Sequence, residues 1–401
     1  MTSRNLLVIA DAFPDRDENY LGGIFIKEQL KCLRRHFDRV FVIAATPLGI
    51  GRLRHVRFSD YHYDNVQVFF PVYVNFPLIY FIGRNLWVWL ERTAISKLIK
   101  RERLEFDIVH AHYTWPAGRV AVDICKEYKK PLVITEHSSL TFRHAIQRRD
   151  QLFVHTWEMA DAIIRVREGD TNLFDEVGIP REKVYSIPNG FDNEFFKPMD
   201  RLKCRRILHI PEQTKMMLTV GFLSKVKGHE YLIRAVSLLR QLNQKVTCFV
   251  IGGGSSERRL SRIIVQERLA NQVVLLGQKP HKEIPIWINA CDVFVLPSLA
   301  EGNPTVMFEV LGCGKPFIGS RVGGIPEVID NSEIGLLCEP RNPKDLAEKI
   351  IQALDTEWNP EKILARAAEY TWESVASRIR AVYQEVLANH DPTCHRSSCK
   401  P

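Results

Sequence analysis

The stretch that decides the fold of this chain is Leu296–Glu309, which reads LPSLAEGNPTVMFE. It starts at the end of the apolar run Val293–Leu296, which is typical of a buried strand. A loop with Gly302 follows. Pro304 opens a predicted helix that stops at Gly314, because proline is favoured at the first helical position and glycine at the stop. A buried strand that leads through such a loop into a helix is the repeating element of a parallel α/β sheet.

The same pattern recurs along most of the chain. The apolar runs are continuous rather than alternating in polarity, as expected for strands whose sheet is covered by helices on both faces. The strands predicted in the first half are Leu6–Ala10, Val40–Ala44, Val66–Phe70, Asp107–Ala111, Leu132–Thr135, Ala162–Val166 and Val184–Ile187. Those predicted in the second half are Met217–Val220, Val246–Ile251, Val273–Leu276, Val293–Leu296 and Pro316–Ile318.

Two sets of strands predict two domains. We expect an α/β fold of two Rossmann-like, doubly wound parallel-sheet domains that face each other across a cleft, where such folds bind ligands. The polar stretch Asn189–Gln213 is interpreted as the connection between them. The predicted boundaries are an N-terminal domain over residues 1–195, a C-terminal domain over 196–370, a helix over 371–389 that returns to the first domain, and a disordered tail over 390–401.

Composition narrows the class of protein. The 401 residues carry a formal net charge of +8, a modest excess that indicates an anionic partner or surface. No basic and aromatic ladder or zinc-finger spacing points to nucleic acid. Nine scattered cysteines without a C-x-x-C pair predict neither a disulfide framework nor a metal site, and they favour a reducing cytosol. No apolar stretch reaches about 20 residues, so we predict no membrane-spanning helix.

The helix that Pro304 opens carries most of the predicted chemistry. Its N-terminus presents backbone N–H groups, from about Thr305 to Met307, to a diphosphate. Glu309 lies just over one turn further on, where a carboxylate accepts two ribose hydroxyls, and Glu301 on the preceding loop reaches the sugar end. The alternative is a capped helix beside a solvated glutamate. Two glutamates at the spacing of Glu301 and Glu309 more often have this structural explanation.

Other candidates follow predicted strands. Lys227 precedes a helix N-terminus, where its ammonium is suited to neutralise a phosphate, and Lys225 lies close by in sequence. Solvated lysines on a turn are the alternative. Three glycine turns permit close backbone approach to a ligand. They are Gly22-Gly23, Gly252-Gly253-Gly254 and Gly323-Gly324.

Histidines cluster at strand ends in the first half. His137 ends a strand where a polar group contacts a transferred sugar, although a lone histidine there is more often structural. His110 and His112 alternate and face one side, but no third metal ligand follows at a useful spacing. Asp15-Arg16-Asp17 resembles a D-x-D metal clamp, and its highly charged loop favours a solvated surface instead.

In their order and spacing, these motifs resemble the family-4 retaining glycosyltransferases of the GT-B fold, over roughly Leu6 to Leu387. The matching segments are Gly22-Gly23, His110-Ala111-His112, Glu136-His137, Ile187–Asp192 with Phe195, Val220–Gly228, Glu301–Glu309 and Gly323–Glu327. The resemblance implies transfer of a hexose from a nucleotide diphosphate sugar to a hydroxyl of a glycan or lipid-linked acceptor, in surface polysaccharide or glycolipid synthesis. It also implies an acceptor-side N-terminal domain, a nucleotide-sugar-binding C-terminal domain and a closing motion.

The resemblance further implies roles for single residues. The catalytic residues are His137 beside the transferred sugar, Lys227 on the diphosphate and Glu301 on the sugar hydroxyls, while Glu309 binds the ribose. The other donor-binding residues are Gly22, Gly23, Lys225, Asn303, Pro304, Thr305 and Val306. Because a lysine and a helix N-terminus stabilise the leaving group, neither a metal nor another cofactor is expected.

One position departs from the family pattern. Phe222 stands where the family usually carries arginine, so phosphate binding falls more heavily on Lys227, helped by Lys225. Two alternatives stay open: another GT-B enzyme of sugar nucleotides, such as an epimerase, or a non-catalytic partner subunit with a vestigial donor site. A phosphorylase should carry a lysine for pyridoxal phosphate, and none is visible in the sequence.

The acceptor half also carries a basic and aromatic region. The stretch Val72–Leu90 is rich in aromatic and apolar residues, and arginines and lysines lie on both sides of it. The basic residues are Arg34, Arg35, Arg39, Arg52, Arg54, Arg57, Lys97, Lys100, Arg101 and Arg103. Such a surface suits an anionic membrane and a lipid-linked acceptor, and buried core with solvated arginines is the equal alternative. We expect a cytoplasmic protein, with peripheral contact at the inner face of the cell membrane left open.

Overall fold

The computed structural model describes residues 4–48, 58–74 and 83–390. The chain forms two compact units. The first runs to Pro188 and resumes at Val375, and the second spans Asn189–Ser374. The predicted tail lies outside the described residues from residue 391 onward. None of the helices in the described residues combines the length and the hydropathy that a transmembrane segment needs.

The first unit is built on an eight-stranded sheet. Its strands, with those of a small second sheet, are β1 (Asn5–Ala10), β2 (Arg39–Ile43), β3 (Thr46–Leu48), β4 (Tyr61–Tyr63), β5 (Val66–Phe69), β6 (Val72–Val74), β7 (Ile108–His112), β8 (Leu132–Glu136), β9 (Ala162–Arg165) and β10 (Val184–Ser186). The order in the large sheet is β10-β9-β8-β7-β1-β2-β5-β4, and β3 pairs with β6. All neighbours are parallel except β4 and β5.

Helices cover this sheet. They are α1 (Ile24–Leu33), α2 (Arg84–Glu102), α3 (Arg119–Tyr128), α4 (Leu140–Gln147) and α5 (Gln151–Met159), with short 3₁₀ segments at Arg34–His36, Glu168–Val177 and Arg181–Lys183. Leu7 and Ile9 of β1 belong to the large hydrophobic core of the unit, and Leu6 and Val8 are fully buried as well. Both faces of β1 are therefore covered, which explains why its sequence is continuously apolar.

The second unit is a six-stranded parallel sheet. Its strands are β11 (Met216–Val220), β12 (Thr247–Ile251), β13 (Val273–Leu275), β14 (Val293–Leu296), β15 (Phe317–Ser320) and β16 (Gly335–Cys338), in the order β13-β12-β11-β14-β15-β16. Its helices are α6 (Arg201–Ile207), α7 (His229–Gln241), α8 (Glu257–Gln266), α9 (Ile284–Ala290), α10 (Thr305–Gly312), α11 (Ile325–Val328), α12 (Pro343–Asp355) and α13 (Pro360–Ala368). Met216 and Leu218 belong to one hydrophobic core and Met217 to another, so β11 also buries both faces.

The final helix α14 (Trp372–His390) belongs to both units, since the first unit resumes at Val375. In the second unit, the backbone N–H of Trp372 donates to the Phe191 carbonyl at 2.9 Å. In the first unit, the Tyr383 hydroxyl lies 2.5 Å from Nδ1 of His110. The fold class predicted from the sequence, two Rossmann-like parallel-sheet domains with a returning helix, is confirmed.

Two interpretations of the sequence are wrong. The stretch Asn189–Gln213 is not a bare connection but part of the second unit, and it contains α6. Arg205 is fully buried there, where its Nε donates to the Ala290 carbonyl and its guanidinium pairs with Asp292, each at 2.9 Å. The second, the solvated surface predicted at Asp15-Arg16-Asp17, is wrong for Asp15 alone: Arg16 and Asp17 are exposed, whereas Asp15 is buried and its carboxylate accepts the backbone N–H of Tyr20 at 2.8 Å.

The strands β3, β4, β6 and β16 were not predicted. The first three mix buried, partly buried and exposed side chains within three residues, so no continuous apolar run marks them. The seven described cysteines carry free thiols, six of them buried, and Cys394 and Cys399 lie outside the described residues.

Candidate active site

The order of the strands fixes where each unit can hold a ligand. In the second unit the chain runs outward from β11 in both directions, through β12 on one side and β14 on the other. In the first unit β1 lies in the same way between β2 and β7. Loops that leave the carboxyl ends of such neighbouring strands diverge and leave a crevice, which is the usual ligand site of open α/β sheets.

Two loops at this point of the second unit carry the predicted donor residues. After β11 the chain leaves the sheet at Gly221, makes a 3₁₀ turn over Lys225–Lys227 and enters α7. After β14 it passes Glu301 and enters α10 at Thr305. Since β11 and β14 are paired in parallel, the two loops emerge side by side.

The two loops are packed backbone against backbone. Gly228 has a φ of +66°, and a Cβ there would lie 2.0 Å from the Pro297 carbonyl oxygen. The backbone N–H of Leu299 donates to the Val226 carbonyl at 2.7 Å. A side chain at residue 228 would therefore force the loops apart, so glycine is required by the approach of the second loop.

The loop after β15 supports the same site from the other side. Gly323 has a φ of +59°, and a Cβ there would lie 2.2 Å from the Glu301 carbonyl oxygen. The next residue, Gly324, donates its N–H to the Gly302 carbonyl at 2.8 Å. In the Gly252–Gly254 turn, the Gly221 carbonyl oxygen likewise takes the space beside Gly252. These glycines thus admit neighbouring protein backbone rather than leaving open space for a ligand.

Lys227 and Glu301 meet directly. The Lys227 ammonium lies 2.6 Å from Oε1 of Glu301, and the Ser298 hydroxyl donates to the same oxygen at 2.5 Å. The side chain of Glu301 is 8% exposed and that of Lys227 is 25% exposed. Two residues separated by 74 positions in sequence therefore form one charged cluster at the carboxyl edge of the sheet.

The N-terminus of α10 follows this cluster. Pro304 precedes the helix with φ −71° and ψ 120°, so α10 begins at Thr305, one residue later than predicted. Met307 was predicted to offer a free N–H, but this group donates to the Pro304 carbonyl at 3.1 Å. The tight first turn therefore leaves the backbone N–H groups of Thr305 and Val306 as the donors at the N-terminal end of α10. Glu309 is partly buried one turn further along α10.

The remaining predicted donor residues differ in their surroundings. The Asn303 side-chain oxygen accepts the Asn189 N–H at 3.0 Å, so this amide is already engaged within the unit. Phe222 is 64% exposed, and Lys225 is exposed as well. The donor-binding roles of these residues stay predictions.

His229, the first residue of α7, was not singled out from the sequence. It is 2% exposed, and neither ring nitrogen has a hydrogen-bond partner among the described residues. Burial and the neighbouring Lys227 ammonium lower the pKa of His229 to about 4. The ring is therefore neutral at physiological pH, and the charge of the cluster comes from Lys227 and Glu301.

In the first unit, the predicted histidines form a stacked row. Nδ1 of His112 lies 3.0 Å from Nε2 of His137, and their rings are 5.3 Å apart. The ring of His110 lies 4.4 Å from that of His112, and its two nitrogens contact Tyr383 at 2.5 Å and Thr135 at 2.7 Å. Burial lowers the pKa of His110 to about 3 and that of His112 well below its usual value.

The strand end before His137 is held by a polar network. Glu136 accepts the backbone N–H groups of Thr114 at 3.0 Å and of Ser138 at 2.6 Å. Arg165 donates to the Glu136 carbonyl at 2.7 Å. Because Glu136 is buried and both of its carboxylate oxygens are engaged, its role is to hold the backbone on either side of His137.

Gly22 and Gly23 lie just before α1, and Gly23 has a φ of +73°. The aromatic ring of Tyr20 and the Ala12 carbonyl fill the space beside them. Their predicted place near the donor phosphates stays a prediction. For metals, residues 4–48, 58–74 and 83–390 contain no group of three His, Cys, Asp or Glu side chains that could hold an ion.

A cavity of about 210 Å³ opens at the carboxyl edge of the first unit's sheet. It follows β1 and β2, and its lining includes Asp11, Thr46 and four aromatic residues, which are Phe13, Tyr20, Phe58 and Phe70. Oδ1 of Asp11 accepts the backbone N–H of Ala117 at 3.0 Å. The sequence reasoning missed this site, and the one signal for it was the acid directly after the first strand.

Two family models match the chain. The model for "Glycosyltransferase Family 4" matches residues 22–195, and the model for "Glycosyl transferases group 1" matches residues 200–371. Together they cover both units apart from the ends.

Curated relatives are similar over about 70% of the chain. A D-inositol 3-phosphate glycosyltransferase of Catenulispora acidiphila is 27% identical over 319 residues, which are 71% of this chain and 73% of that protein. An uncharacterized glycosyltransferase of Methanocaldococcus jannaschii is 29% identical over 286 residues, or 70% of this chain and 76% of that protein.

Solved structures share the fold. Anabaena HepE in complex with UDP has a TM-score of 0.74 at 21% identity, and the match covers 95% of this chain and 100% of HepE. Sucrose-phosphate synthase from Thermosynechococcus elongatus has a TM-score of 0.78 at 19% identity, with 96% and 100% covered. With both units matched by the family models and the whole fold shared with these structures, the chain is a glycosyltransferase of the GT-B fold and belongs to glycosyltransferase family 4.

Proposed function

We propose that this chain is a retaining, metal-independent hexosyltransferase. It moves a sugar from a nucleotide diphosphate sugar to a hydroxyl of a glycan or lipid-linked acceptor, in surface polysaccharide or glycolipid synthesis. The observation that carries the proposal is the Lys227–Glu301 pair on the loops beside α10. An ammonium and a helix N-terminus suit a diphosphate, and a carboxylate accepts sugar hydroxyls.

The proposed reaction exchanges one bond at the anomeric carbon for another on the same face. The bond from the anomeric carbon to the diphosphate breaks, the acceptor oxygen bonds to that carbon, and the acceptor proton passes to a phosphate oxygen of the leaving group. Lys227 and the N–H groups of Thr305 and Val306 stabilise the negative charge that grows on the diphosphate. Glu309 accepts ribose hydroxyls, while Glu301 and His137 contact the transferred sugar.

A donor screen tests this proposal. Release of nucleoside diphosphate is measured with UDP-, GDP- and ADP-sugars, and UDP-glucose comes first because structures of Anabaena HepE contain UDP and UDP-glucose. We expect release with one nucleotide, increased by acceptor and strongly reduced in Lys227→Ala. An epimerase would convert the sugar nucleotide without release.

The exposed Phe222 at the usual arginine position favours the second candidate, a non-catalytic partner subunit. Isothermal titration with UDP, GDP and ADP separates the two, because a vestigial donor site binds none of them. Saturable binding of one diphosphate together with its release from the sugar nucleotide would remove this alternative.

For the acceptor, we assign the cavity beside Asp11. Aromatic faces such as those of Tyr20 and Phe70 pack against sugar rings, and the carboxylate accepts a hydroxyl. Asp11→Asn keeps the oxygen that accepts the Ala117 N–H, so the fold should be retained. We expect a higher KM for the acceptor and an unchanged affinity for the nucleoside diphosphate, and equal loss of both would contradict the assignment.

Contact with an anionic membrane is part of the proposal. Leu48, Val72, Val74 and Trp89 are exposed on or beside the small sheet and α2, and Lys97 is exposed on the same helix. Some of the predicted positive charge is neutralised within the unit, since Arg34 pairs with Asp64 and Lys100 with Glu127. Arg52, Arg54 and Arg57 and residues 75–82 of the aromatic stretch lie outside the described residues.

Sedimentation with vesicles of anionic phospholipid tests this contact. We expect binding at low salt that falls in the double variant Val72→Ser, Trp89→Ser, because these exposed side chains lose apolar area. Leu242→Ser, an exposed leucine of the second unit, is the matched control. Absence of wild-type binding at low salt would remove the membrane contact from the proposal.

A further inference from the structure

Ser298 is a fully buried serine two residues beyond the end of β14, and the proposed function gives it no role. Its hydroxyl donates to Oε1 of Glu301 at 2.5 Å, and the Lys227 ammonium reaches the same oxygen at 2.6 Å. Among the described residues, no hydrogen bond to the other oxygen, Oε2, is found. The carboxylate of Glu301 is thus held through Oε1, and Oε2 remains as the oxygen that can accept a further hydrogen bond.

This arrangement restricts how Glu301 can turn. A hydrogen bond from a hydroxyl to a carboxylate is short and about twice as strong as a neutral one. Glu301 is 8% exposed, so water replaces a lost donor poorly. Rotating the carboxylate would break the bonds from both Ser298 and Lys227, so the direction of Oε2 is set by the protein before any ligand arrives.

We propose that Ser298 is a positioning residue of the donor site. Its hydroxyl donates a hydrogen bond to Oε1 of Glu301 and thereby directs Oε2 towards a hydroxyl of the donor sugar. This inference rests on the proposed role of Glu301. When the nucleotide sugar is bound, the Lys227 ammonium also contacts the diphosphate. The Ser298 hydroxyl is therefore the hydrogen-bond donor that keeps Glu301 in place throughout. The affinity for the sugar part of the donor therefore depends on Ser298, and the affinity for the diphosphate part does not.

Isothermal titration measures the two affinities separately. The probes are UDP-glucose, GDP-mannose and ADP-glucose, each compared with its own nucleoside diphosphate. For the pair that the wild type binds, Ser298→Ala should weaken the nucleotide sugar about tenfold, as expected for a lost hydrogen bond to a charged group, and leave the diphosphate unchanged. Ser298→Thr keeps the hydroxyl and should recover most of the affinity.

Ser320→Ala is the matched control. Ser320 is equally buried at the end of the neighbouring strand β15, and its hydroxyl accepts from the Cys338 thiol at 3.9 Å. We expect Ser320→Ala to bind the nucleotide sugar and the nucleoside diphosphate with the same affinities as the wild type. Equal weakening of sugar nucleotide and diphosphate in Ser298→Ala, or no weakening of either, would overturn the inference.

Crystal structures of the ligand-free wild type and Ser298→Ala give a second, independent readout. The wild type should show Ser298 and Lys227 on one oxygen of Glu301, and the variant should show the carboxylate turned away. A wild-type carboxylate that does not contact Ser298 overturns the inference even if a donor binds. A wild type that binds none of the six probes contradicts the proposed function and the sugar contact together, whereas the structures still decide what holds Glu301.

Discussion

Replacing Lys227 by methionine separates its charge from its packing, because methionine keeps the length and the apolar stem of lysine. The change removes the ammonium that lies 2.6 Å from Oε1 of Glu301. Among residues 4–48, 58–74 and 83–390, Ser298 then remains as the single donor to that oxygen. The variant therefore affects both the resting cluster and the proposed leaving-group site, and the two effects differ in size.

The effect on stability should be small. Loss of a hydrogen bond from a charged group costs about 1–3 kcal/mol when the partner stays buried. The Lys227 side chain is 25% exposed, however, so solvent already screens the pair, and we expect about 1 kcal/mol. In a domain of this size that lowers the melting temperature by about 2–4 °C. The variant should be folded at room temperature.

The effect on turnover should be much larger. A preorganised donor that meets charge developing in the transition state is worth about 2.7–4 kcal/mol, so its removal lowers kcat about 10²–10³-fold. The expected loss of transition-state stabilisation thus exceeds the expected loss of folding stability by more than 1 kcal/mol.

The assay is release of nucleoside diphosphate at saturating donor, with the melting temperature measured on the same samples. Lys225→Met is the matched control, because this lysine is exposed and lies two residues away. We expect its kcat to fall much less than that of Lys227→Met. A kcat within threefold of wild type in folded Lys227→Met would refute the role of Lys227 on the leaving group.

Three further predictions concern the second unit. Gly228→Ala should lose binding of the nucleotide sugar and have a lower melting temperature than Gly277→Ala. Both positions have a φ near +67°, but only Gly228 faces a carbonyl oxygen, 2.0 Å from the added Cβ. Equal melting temperatures of the two variants would contradict the packing argument. Phe222→Arg should bind nucleoside diphosphate up to about tenfold more tightly in titration calorimetry with an unchanged melting temperature, because the site is exposed and gains a guanidinium. The pKa of His229 is about 4 in the folded chain and about 6.5 in the unfolded chain. As the pH falls, the unfolded chain therefore binds the proton first, and folding stability is lost between about pH 6.5 and pH 4. The urea midpoint of His229→Gln should fall less than that of the wild type over this range, and parallel curves would contradict this.

The sequence predicted the long buried strands well because both of their faces are covered. In each of β1 and β11 all residues but one are buried, so the apolar run and the strand nearly coincide. The edge strand β4 (Tyr61–Tyr63) has three residues with buried, exposed and intermediate side chains, which is too little to detect. The charges of Asn189–Gln213 suggested a solvated connection because a count of charges does not reveal pairing, and buried Arg205 is paired with Asp292.

The candidate site was predictable in its location and not in its contacts. Lys227 and Glu301 both follow apolar runs, and strands that neighbour each other bring their loops together, so the sequence located both residues at one sheet edge. Their direct contact depends on the approach of the two loops at Gly228. In the sequence Ser298 only follows the predicted strand Val293–Leu296, and the direction of its hydroxyl alone reveals a link to Glu301.

The structure also changes how the phosphate-binding groups are distributed. The sequence predicted three N–H groups at the start of α10, and the tight first turn uses that of Met307. Phe222 adds no guanidinium, and Lys225 is exposed on a turn beside it. Of the groups predicted at the start of α10, the N–H groups of Thr305 and Val306 remain, with the ammonium of Lys227 on the neighbouring loop, and the phosphate-binding roles of Lys225, Gly22 and Gly23 stay predictions. The loops that pack at Gly228 place that ammonium against Glu301, so in the proposed mechanism most of the charge stabilisation should come from this side chain.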